Sequence, residues 1–260
     1  HSGVLFGLLR RDRIARDADL ASHTGLRVST VNIFDYSSVP ESKLTGPDGA
    51  ALSTRMGLKH GYLCAKHVVE SSIPGVIVEC GVANGAQVGM MARAVLDAGD
   101  ARYFHLFDSF EGIPMAGPQD ESQPGIGAPQ HDVNAPLAER LVSSGISACS
   151  AEQVASNLKA WGCKGDFQYN VGWFQDTLPN FRSLEPIALL RLDGDLYEST
   201  AVCLRYLYPL VVDGGLVVID DYALPGCATA VNEYLSDHQP DVRIHTEDVG
   251  GGAIIATWIK

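Results

Sequence analysis

Short apolar runs alternate with longer stretches of helical periodicity between residues 52 and 258. Continuous apolar runs such as residues 76–78 are typical of strands buried on both faces of a sheet. Strands are predicted at residues 76–78, 103–107, 167–171, 187–192, 216–219, 242–245 and 253–258. Helices are predicted at residues 52–69, 87–98, 137–144, 150–161, 199–210 and 226–236. The alternation predicts an α/β fold with a mostly parallel seven-stranded sheet, and the glycines at residues 250–252 predict an antiparallel hairpin between the last two strands.

Two pairs of aspartates follow two of the predicted strands. Asp193 and Asp195 come after the fourth strand, and Asp220 and Asp221 come after the fifth. Parallel neighbours that end at the same edge of a sheet would bring these carboxylates together, where like charges repel unless a cation lies among them. Hard divalent metals prefer oxygen ligands, so the pattern predicts a metal site with one carboxylate left for acid–base chemistry. The alternative is four strand-end caps that happen to be acidic.

A glycine-containing turn joins the first predicted strand to the helix that follows it. The turn reads Glu-Cys-Gly-Val-Ala-Asn-Gly at residues 79–85. A strand, a glycine turn and a helix typically hold a nucleotide-like ligand, although this spacing differs from the Gly-x-Gly-x-x-Gly of a dinucleotide site. Asp108 closes the second strand, where a carboxylate can accept hydrogen bonds from ribose hydroxyls. Trp173, after the third strand, either stacks on an adenine ring or fills the core.

Composition narrows the class of partner. The 260 residues carry a formal net charge of −12, which disfavours nucleic acid and anionic membranes as partners. No stretch approaches the roughly 18 apolar residues of a membrane span. The six cysteines show no Cys-x-x-Cys spacing and lie mostly among apolar residues, which predicts free thiols in a reducing, cytoplasmic setting.

Two segments lie outside the alternating pattern. Residues 1–50 are rich in turn formers, and we expect an N-terminal arm of loops and short helices ahead of one domain at residues 51–260. Residues 111–136 contain many prolines and glycines and no core pattern. A loop of this length inside a compact domain is usually functional or disordered, so we expect a lid over the ligand side of the sheet in preference to a mobile surface insertion.

Five short motifs follow one another along the chain. They are Glu-Cys-Gly-Val-Ala-Asn-Gly at 79–85, Phe-Asp-Ser-Phe-Glu-Gly at 107–112, Gly-Trp-Phe-x-Asp-Thr-Leu-Pro at 172–179, Arg-Leu-Asp-Gly-Asp-Leu-Tyr at 191–197 and Ile-Asp-Asp-Tyr at 219–222. Together they resemble the macrocin O-methyltransferase (TylF-type) family over about residues 50–258. The resemblance implies the class I S-adenosylmethionine-dependent methyltransferase (Rossmann-like) fold and methylation of a deoxysugar hydroxyl on a glycosylated antibiotic, with Mg²⁺ required.

The resemblance also implies a role for each matching residue. Asp193, Asp220 and Asp221 would hold the metal, and Asp195 would be the general base. The residues expected near S-adenosyl-L-methionine are Glu79, Gly81, Asn84, Gly85, Asp108, Ser109, Trp173 and Asp193, with Thr54, Arg55 and Met56 matched through a shorter motif. A homo-oligomer is expected from the same resemblance.

Other functions are compatible with parts of the pattern. A catechol-type O-methyltransferase would use a similar metal site on a flat aromatic diol, and a non-catalytic protein would bind the cofactor only. An NAD-dependent oxidoreductase is disfavoured by the glycine spacing. The sequence identifies neither the sugar, nor the hydroxyl, nor the aglycone.

Overall fold

An eight-stranded sheet forms the centre of the fold. The computed structural model describes residues 34–44, 52–120, 132–183 and 185–260, and the backbone of residues 27–29. The strands are β1 (Arg27–Ser29), β2 (Val76–Cys80), β3 (Tyr103–Asp108), β4 (Asp166–Val171), β5 (Ile187–Leu192), β6 (Val211–Ile219), β7 (Arg243–Gly250) and β8 (Ala253–Ile259). The helices are α1 (Arg55–Glu70), α2 (Ala86–Asp97), α3 (Leu137–Arg140), α4 (Ala151–Ala160), α5 (Phe174–Thr177), α6 (Tyr197–Leu207) and α7 (Pro225–His238).

The topology confirms the predicted fold class. The strand order is β1-β7-β8-β6-β5-β2-β3-β4, and only β8 runs antiparallel to its neighbours, β6 and β7. Strands β2 to β8 are the seven that the sequence predicts. The additional β1 pairs in parallel with β7 at the edge of the sheet, in the arm where only loops and short helices were expected. Three residues are too few to show an alternating pattern.

Two apolar layers cover the two faces of the sheet. One layer packs α1, α2 and α4 on the sheet, with Met90 and Leu158 among its buried residues. The other packs α6 and α7 on the opposite face, with Leu204 and Val231 fully buried. Strands β2 and β5 are buried along their whole length, as their apolar runs predict. These two buried strands lie side by side at the centre of the sheet.

The described part of the N-terminal arm lies against α1. Phe34, Tyr36 and Val39 are buried in the layer that contains α1. Just beyond them, Glu41 pairs with Arg55 and Lys59 on the first turns of the helix. These residues pack on α1, and residues 1–26, 30–33 and 45–51 lie outside the described residues, so the arm stays a prediction.

The cysteines and the helices give two further findings. All six cysteines are free thiols, and four of them are buried. Among the described residues, no helix is both long enough and apolar enough to cross a lipid bilayer.

A buried histidine predicts how the stability of this layer depends on pH. His60 in α1 is 1% exposed, and its Nε2 lies 3.1 Å from Oγ1 of Thr257. Burial, then the nearby Arg191 and His245, lower the pKa of His60 from 6.5 to about 3. As the pH falls, His60 takes up a proton in the unfolded chain before it does so in the folded protein. Its contribution to the free energy of unfolding is therefore complete above pH 6.5 and is lost as the pH falls below that value. We expect His60 to account for a loss of about 2 kcal/mol in the free energy of unfolding between pH 7 and pH 5.

Urea titrations at the two pH values would measure this effect. His60→Gln should show a smaller loss than the unsubstituted protein by about that 2 kcal/mol. His238→Gln, at an exposed position in α7, is the matched control and should lose as much as the unsubstituted protein. Equal losses in all three proteins would contradict a buried neutral histidine.

Candidate active site

The carboxyl ends of the parallel strands open into one cavity of about 430 Å³. The chain runs from β2 outward to β3 and β4 on one side and from β5 to β6 on the other. Ligands of doubly wound sheets bind where the strand order changes direction in this way, and the volume suits a small molecule. The wall includes Thr54, Gly81, Ala83, Asp108, Ser109, Ile113, Trp173, Gln175, Asp193, Asp195, Ser199, Asp220, Asp221, Val249 and Ala253.

All four aspartates predicted for the site line this cavity. Strands β5 and β6 are parallel neighbours with Leu192 opposite Ile219, so the residues after them meet at one edge. One oxygen from each of Asp193, Asp195 and Asp221 lies within 4.8 Å of the others, a spacing that suits a shared cation. The sequence therefore located the acidic cluster, although Asp220 is outside this closest set of three.

Asp195 is held in an unusual backbone conformation. Its φ is +55°, in the left-handed region that Asp and Asn tolerate better than most residues. The backbone N–H of Asp195 donates a hydrogen bond to Oδ2 of Asp221 at 3.0 Å, which fixes the two loops relative to each other. Burial, followed by the charges of Asp193 and Asp220, raises the pKa of Asp195, and burial raises that of Asp221 as well. A carboxylate with a raised pKa is a stronger base than an exposed one.

Arg191 lies beneath the acidic cluster and was not among the predicted site residues. Its Nη1 donates to Oε1 of Glu79 at 2.8 Å and to Oδ2 of Asp193 at 2.9 Å. Its Nη2 lies 2.7 Å from Oδ1 of Asp220. The sequence signal was a single charged residue within an otherwise apolar strand, next to an acidic pair. A buried charge needs a partner, so such an interruption indicates an ion pair.

The glycine turn is held closely against the loop after β5. Gly81 has a φ of +83°, and a Cβ added to it would lie 1.7 Å from the carbonyl oxygen of Asp193. Asp108 supports the same turn, because its Oδ2 accepts hydrogen bonds from the backbone N–H groups of Val82 and Ala83 at 2.7 and 3.2 Å. Asp108 is thus a structural support of the turn as well as part of the cavity wall.

The residues expected near the cofactor fall into two groups. Thr54, Gly81, Asp108, Ser109, Trp173 and Asp193 line the cavity. Arg55, Met56, Glu79, Asn84 and Gly85 are outside its wall. Glu79 is fully buried on Arg191, and burial raises its pKa to about 8. Gly85 is the N-cap residue of α2, and Arg55 pairs with Glu41. Trp173 is partly exposed in the cavity wall and so is free to meet a ligand.

One residue within the expected lid and one just after it are anchored to the start of α6. Asp120 is buried, and its Oδ1 accepts a hydrogen bond from the backbone N–H of Tyr197 at 2.9 Å. On the other side, the buried Arg140 donates to Oε1 of Glu198 at 2.7 Å. The described residues 111–120 include buried ones, Ala116 and Asp120, although the segment shows no core pattern in the sequence. Residues 121–131 lie outside the described residues, and the lid stays a prediction.

Comparisons with known proteins agree with this geometry. The profile of a family described as Macrocin-O-methyltransferase (TylF) matches residues 40–253. The 8-demethyl-8-(2,3-dimethoxy-alpha-L-rhamnosyl)-tetracenomycin-C 4'-O-methyltransferase of Streptomyces olivaceus is 38% identical over 218 residues, which are 80% of this chain and 78% of that protein. The mycinamicin III 3''-O-methyltransferase of Micromonospora griseorubida is 30% identical over 214 residues, 79% of this chain and 80% of that protein.

A solved structure shows the same fold. The O-methyltransferase NovP superposes with a TM-score of 0.61 at 30% identity, over 79% of this chain and 80% of that one. These matches confirm the family resemblance that the five motifs indicate.

Proposed function

We propose that this chain, which belongs to the macrocin-O-methyltransferase (TylF) family, methylates a sugar hydroxyl of a glycosylated natural product with the help of a divalent cation. The chain is an S-adenosylmethionine-dependent O-methyltransferase. The substrate class and the cation are the parts that we infer. The observation that carries the inference is the convergence of four aspartates on one wall of the cavity.

The names of the relatives support a sugar as acceptor. One relative is a 4'-O-methyltransferase of a rhamnosyl tetracenomycin, and another is a 3''-O-methyltransferase of mycinamicin III. We infer from them an antibiotic glycoside as the substrate class, with the deoxysugar presented to the acidic wall.

The donor set fits a hard divalent cation. Carboxylate oxygens are the ligands that Mg²⁺ prefers. Asp193 and Asp221 offer oxygens within 4.8 Å of each other and would hold the ion, and Asp195 is near enough to both to act on a hydroxyl beside it. Asp220 would join them through whichever oxygen is not held by Arg191. When bound, the cation would lower the pKa of a sugar hydroxyl and offset the charge that develops on its oxygen.

The protein side chains then have separate tasks. Asp195 removes the hydroxyl proton, since its carboxylate lies in the cavity wall beside the other carboxylates. Asp108 and the turn at Gly81 hold the ribose end of the cofactor, while Trp173 lies where an aromatic ring can stack on adenine. Holding both reactants in line removes several kcal/mol from the barrier.

Removal of metal tests the proposal directly. With methyl-labelled S-adenosylmethionine, we expect methylation of mycinamicin III or of the rhamnosyl tetracenomycin precursor to stop in EDTA and to return when Mg²⁺ is added in excess. Calcium-chelated EDTA is the control for effects of the chelator itself. Full activity in EDTA would exclude the cation. Methylation of catechol with neither glycoside accepted would favour the catechol-type alternative.

The cellular compartment and the oligomeric state of the enzyme are also proposals. Six free thiols support a reducing, cytoplasmic compartment. We infer a homo-oligomer from the family, and light scattering of the purified protein would test it.

A further inference from the structure

Arg191 contacts the acidic cluster from inside the sheet. It is 1% exposed, and it belongs to β5, whose flanking residues Leu190 and Leu192 pack on the α6 face. Its side chain therefore lies on the opposite face, towards α1. The three carboxylates that it contacts come from the ends of three strands, with Glu79 on β2, Asp193 after β5 and Asp220 after β6. Arg191 thus joins the central strands where the cavity begins.

Arg191 contacts one carboxylate oxygen of Asp193 and one of Asp220, and the second oxygen of each is available to the cavity. Oδ1 of Asp220 is fully buried next to Nη2, yet the Asp220 side chain lines the cavity. Oδ2 of Asp193 accepts a hydrogen bond from Nη1 of Arg191, and the Asp193 side chain is 29% exposed. The inner oxygens face the guanidinium, in a hydrogen bond for Asp193 and in an ion pair for Asp220, so the outer oxygens are the ones available beside Asp195 and Asp221.

The charges explain why an arginine is needed there. Three carboxylates contact the guanidinium, namely Glu79, Asp193 and Asp220, and Asp195 and Asp221 lie close to Asp193. Arg191 contacts the inner half of the cluster, whereas Asp195 and Asp221 lie on its outer half beside Asp193. Carboxylates this close repel one another and would turn away from the cavity without compensation on both sides.

We propose that Arg191 is a positioning residue that orients Asp193 and Asp220 so that the cavity side of the cluster binds one divalent cation. The inference rests on the cation of the proposed function. The planar guanidinium matters as much as its charge, because its fixed fork of donors reaches three carboxylates at once. A lysine at this position carries the same charge on a single nitrogen and cannot hold the three carboxylates in the same arrangement.

Arg191→Lys keeps the positive charge but removes the fork of donors, so it tests the orientation of the carboxylates separately from their charge compensation. Arg140→Lys is the matched control. Arg140 is also buried and paired with a carboxylate, Glu198, but lies outside the acidic cluster. The readout is Mn²⁺ binding to the enzyme without substrate, followed by electron paramagnetic resonance, with calorimetry of S-adenosylhomocysteine binding alongside. For Arg191→Lys we expect Mn²⁺ affinity to fall about 10- to 100-fold, as is usual when a residue that orients a metal ligand is lost. S-adenosylhomocysteine binding is measured to check that the cavity still folds, since Arg191 also holds Asp193 in the cavity wall.

The outcomes discriminate between the proposals. Arg140→Lys should bind Mn²⁺ as the unsubstituted enzyme does; Mn²⁺ affinity unchanged in Arg191→Lys as well would overturn the role of Arg191 and leave the proposed function intact. An unsubstituted enzyme that binds no Mn²⁺ would overturn the cation, and the role of Arg191 with it. If Arg191→Lys fails to fold, a Mn²⁺-soaked crystal of the unsubstituted enzyme decides. Arg191 still bonded to Asp193 and Asp220 supports the inference, and carboxylates turned away from it overturn the inference.

Discussion

Asp195→Asn should lower kcat about 10²- to 10⁴-fold, the range that a general base contributes, while the Kd of S-adenosylhomocysteine stays within about threefold. The asparagine carries no charge and cannot take the proton of the hydroxyl. It keeps the shape of the side chain and tolerates the left-handed backbone at φ +55°. The hydrogen bond to Asp221 comes from the backbone N–H of residue 195, so it survives the substitution.

The control for this change removes the same charge elsewhere. Asp213 is exposed near the start of β6, at the end of that strand away from Asp220. Asp213→Asn should keep kcat within about twofold of the unsubstituted enzyme, as surface substitutions usually do. A wild-type kcat in Asp195→Asn would exclude Asp195 as the base. Loss of Mn²⁺ binding in Asp195→Asn would instead assign Asp195 to the cation, as its place in the cluster of three carboxylates allows.

Gly81→Ala should reduce the free energy of unfolding by about 3 kcal/mol or more and abolish measurable S-adenosylhomocysteine binding. The new methyl group would need the space of the Asp193 carbonyl oxygen, only 1.7 Å away. That carbonyl cannot withdraw easily, because the N–H of Asp193 donates to the carbonyl oxygen of Cys80 at 2.8 Å. Relief of the clash must therefore move the glycine turn away from the acidic loop. Urea titration and calorimetry would measure the two effects.

Gly99 offers a matched control for the backbone strain alone. Its φ is +73°, close to that of Gly81, and a Cβ there meets nothing within 4 Å. Gly99→Ala should cost about 1 kcal/mol and leave S-adenosylhomocysteine binding unchanged. Equal effects of the two substitutions would show that the close approach to Asp193 is unimportant.

The sequence predicts the fold well because the strands are buried on both faces. The run at residues 187–192 coincides with β5, and the run at residues 76–78 lies within β2. The acidic cluster could be predicted equally well. The aspartates directly follow two parallel neighbouring strands, and such strands end at a common edge of the sheet. In these elements the local sequence pattern and the position in the folded sheet agree with each other.

The parts that the sequence did not predict depend on long-range partners. Arg191 interrupts an apolar run, and its partner Glu79 is 112 positions away in the chain. Asp120 lies in a segment of turn formers, yet it is buried. Its side chain accepts a hydrogen bond from the backbone N–H of Tyr197, which is far away in the chain. Neither contact leaves a periodic signal, so only the folded chain reveals them.

The anchoring of Asp120 and Arg140 has a consequence for the diversification of such enzymes. Both ends of the segment between these residues are fixed to the first turn of α6, just beyond the loop that carries Asp193 and Asp195. The two attachments couple Asp120 and Arg140 to the loop that carries Asp193 and Asp195. We therefore expect both anchors to be inherited together with that acidic loop.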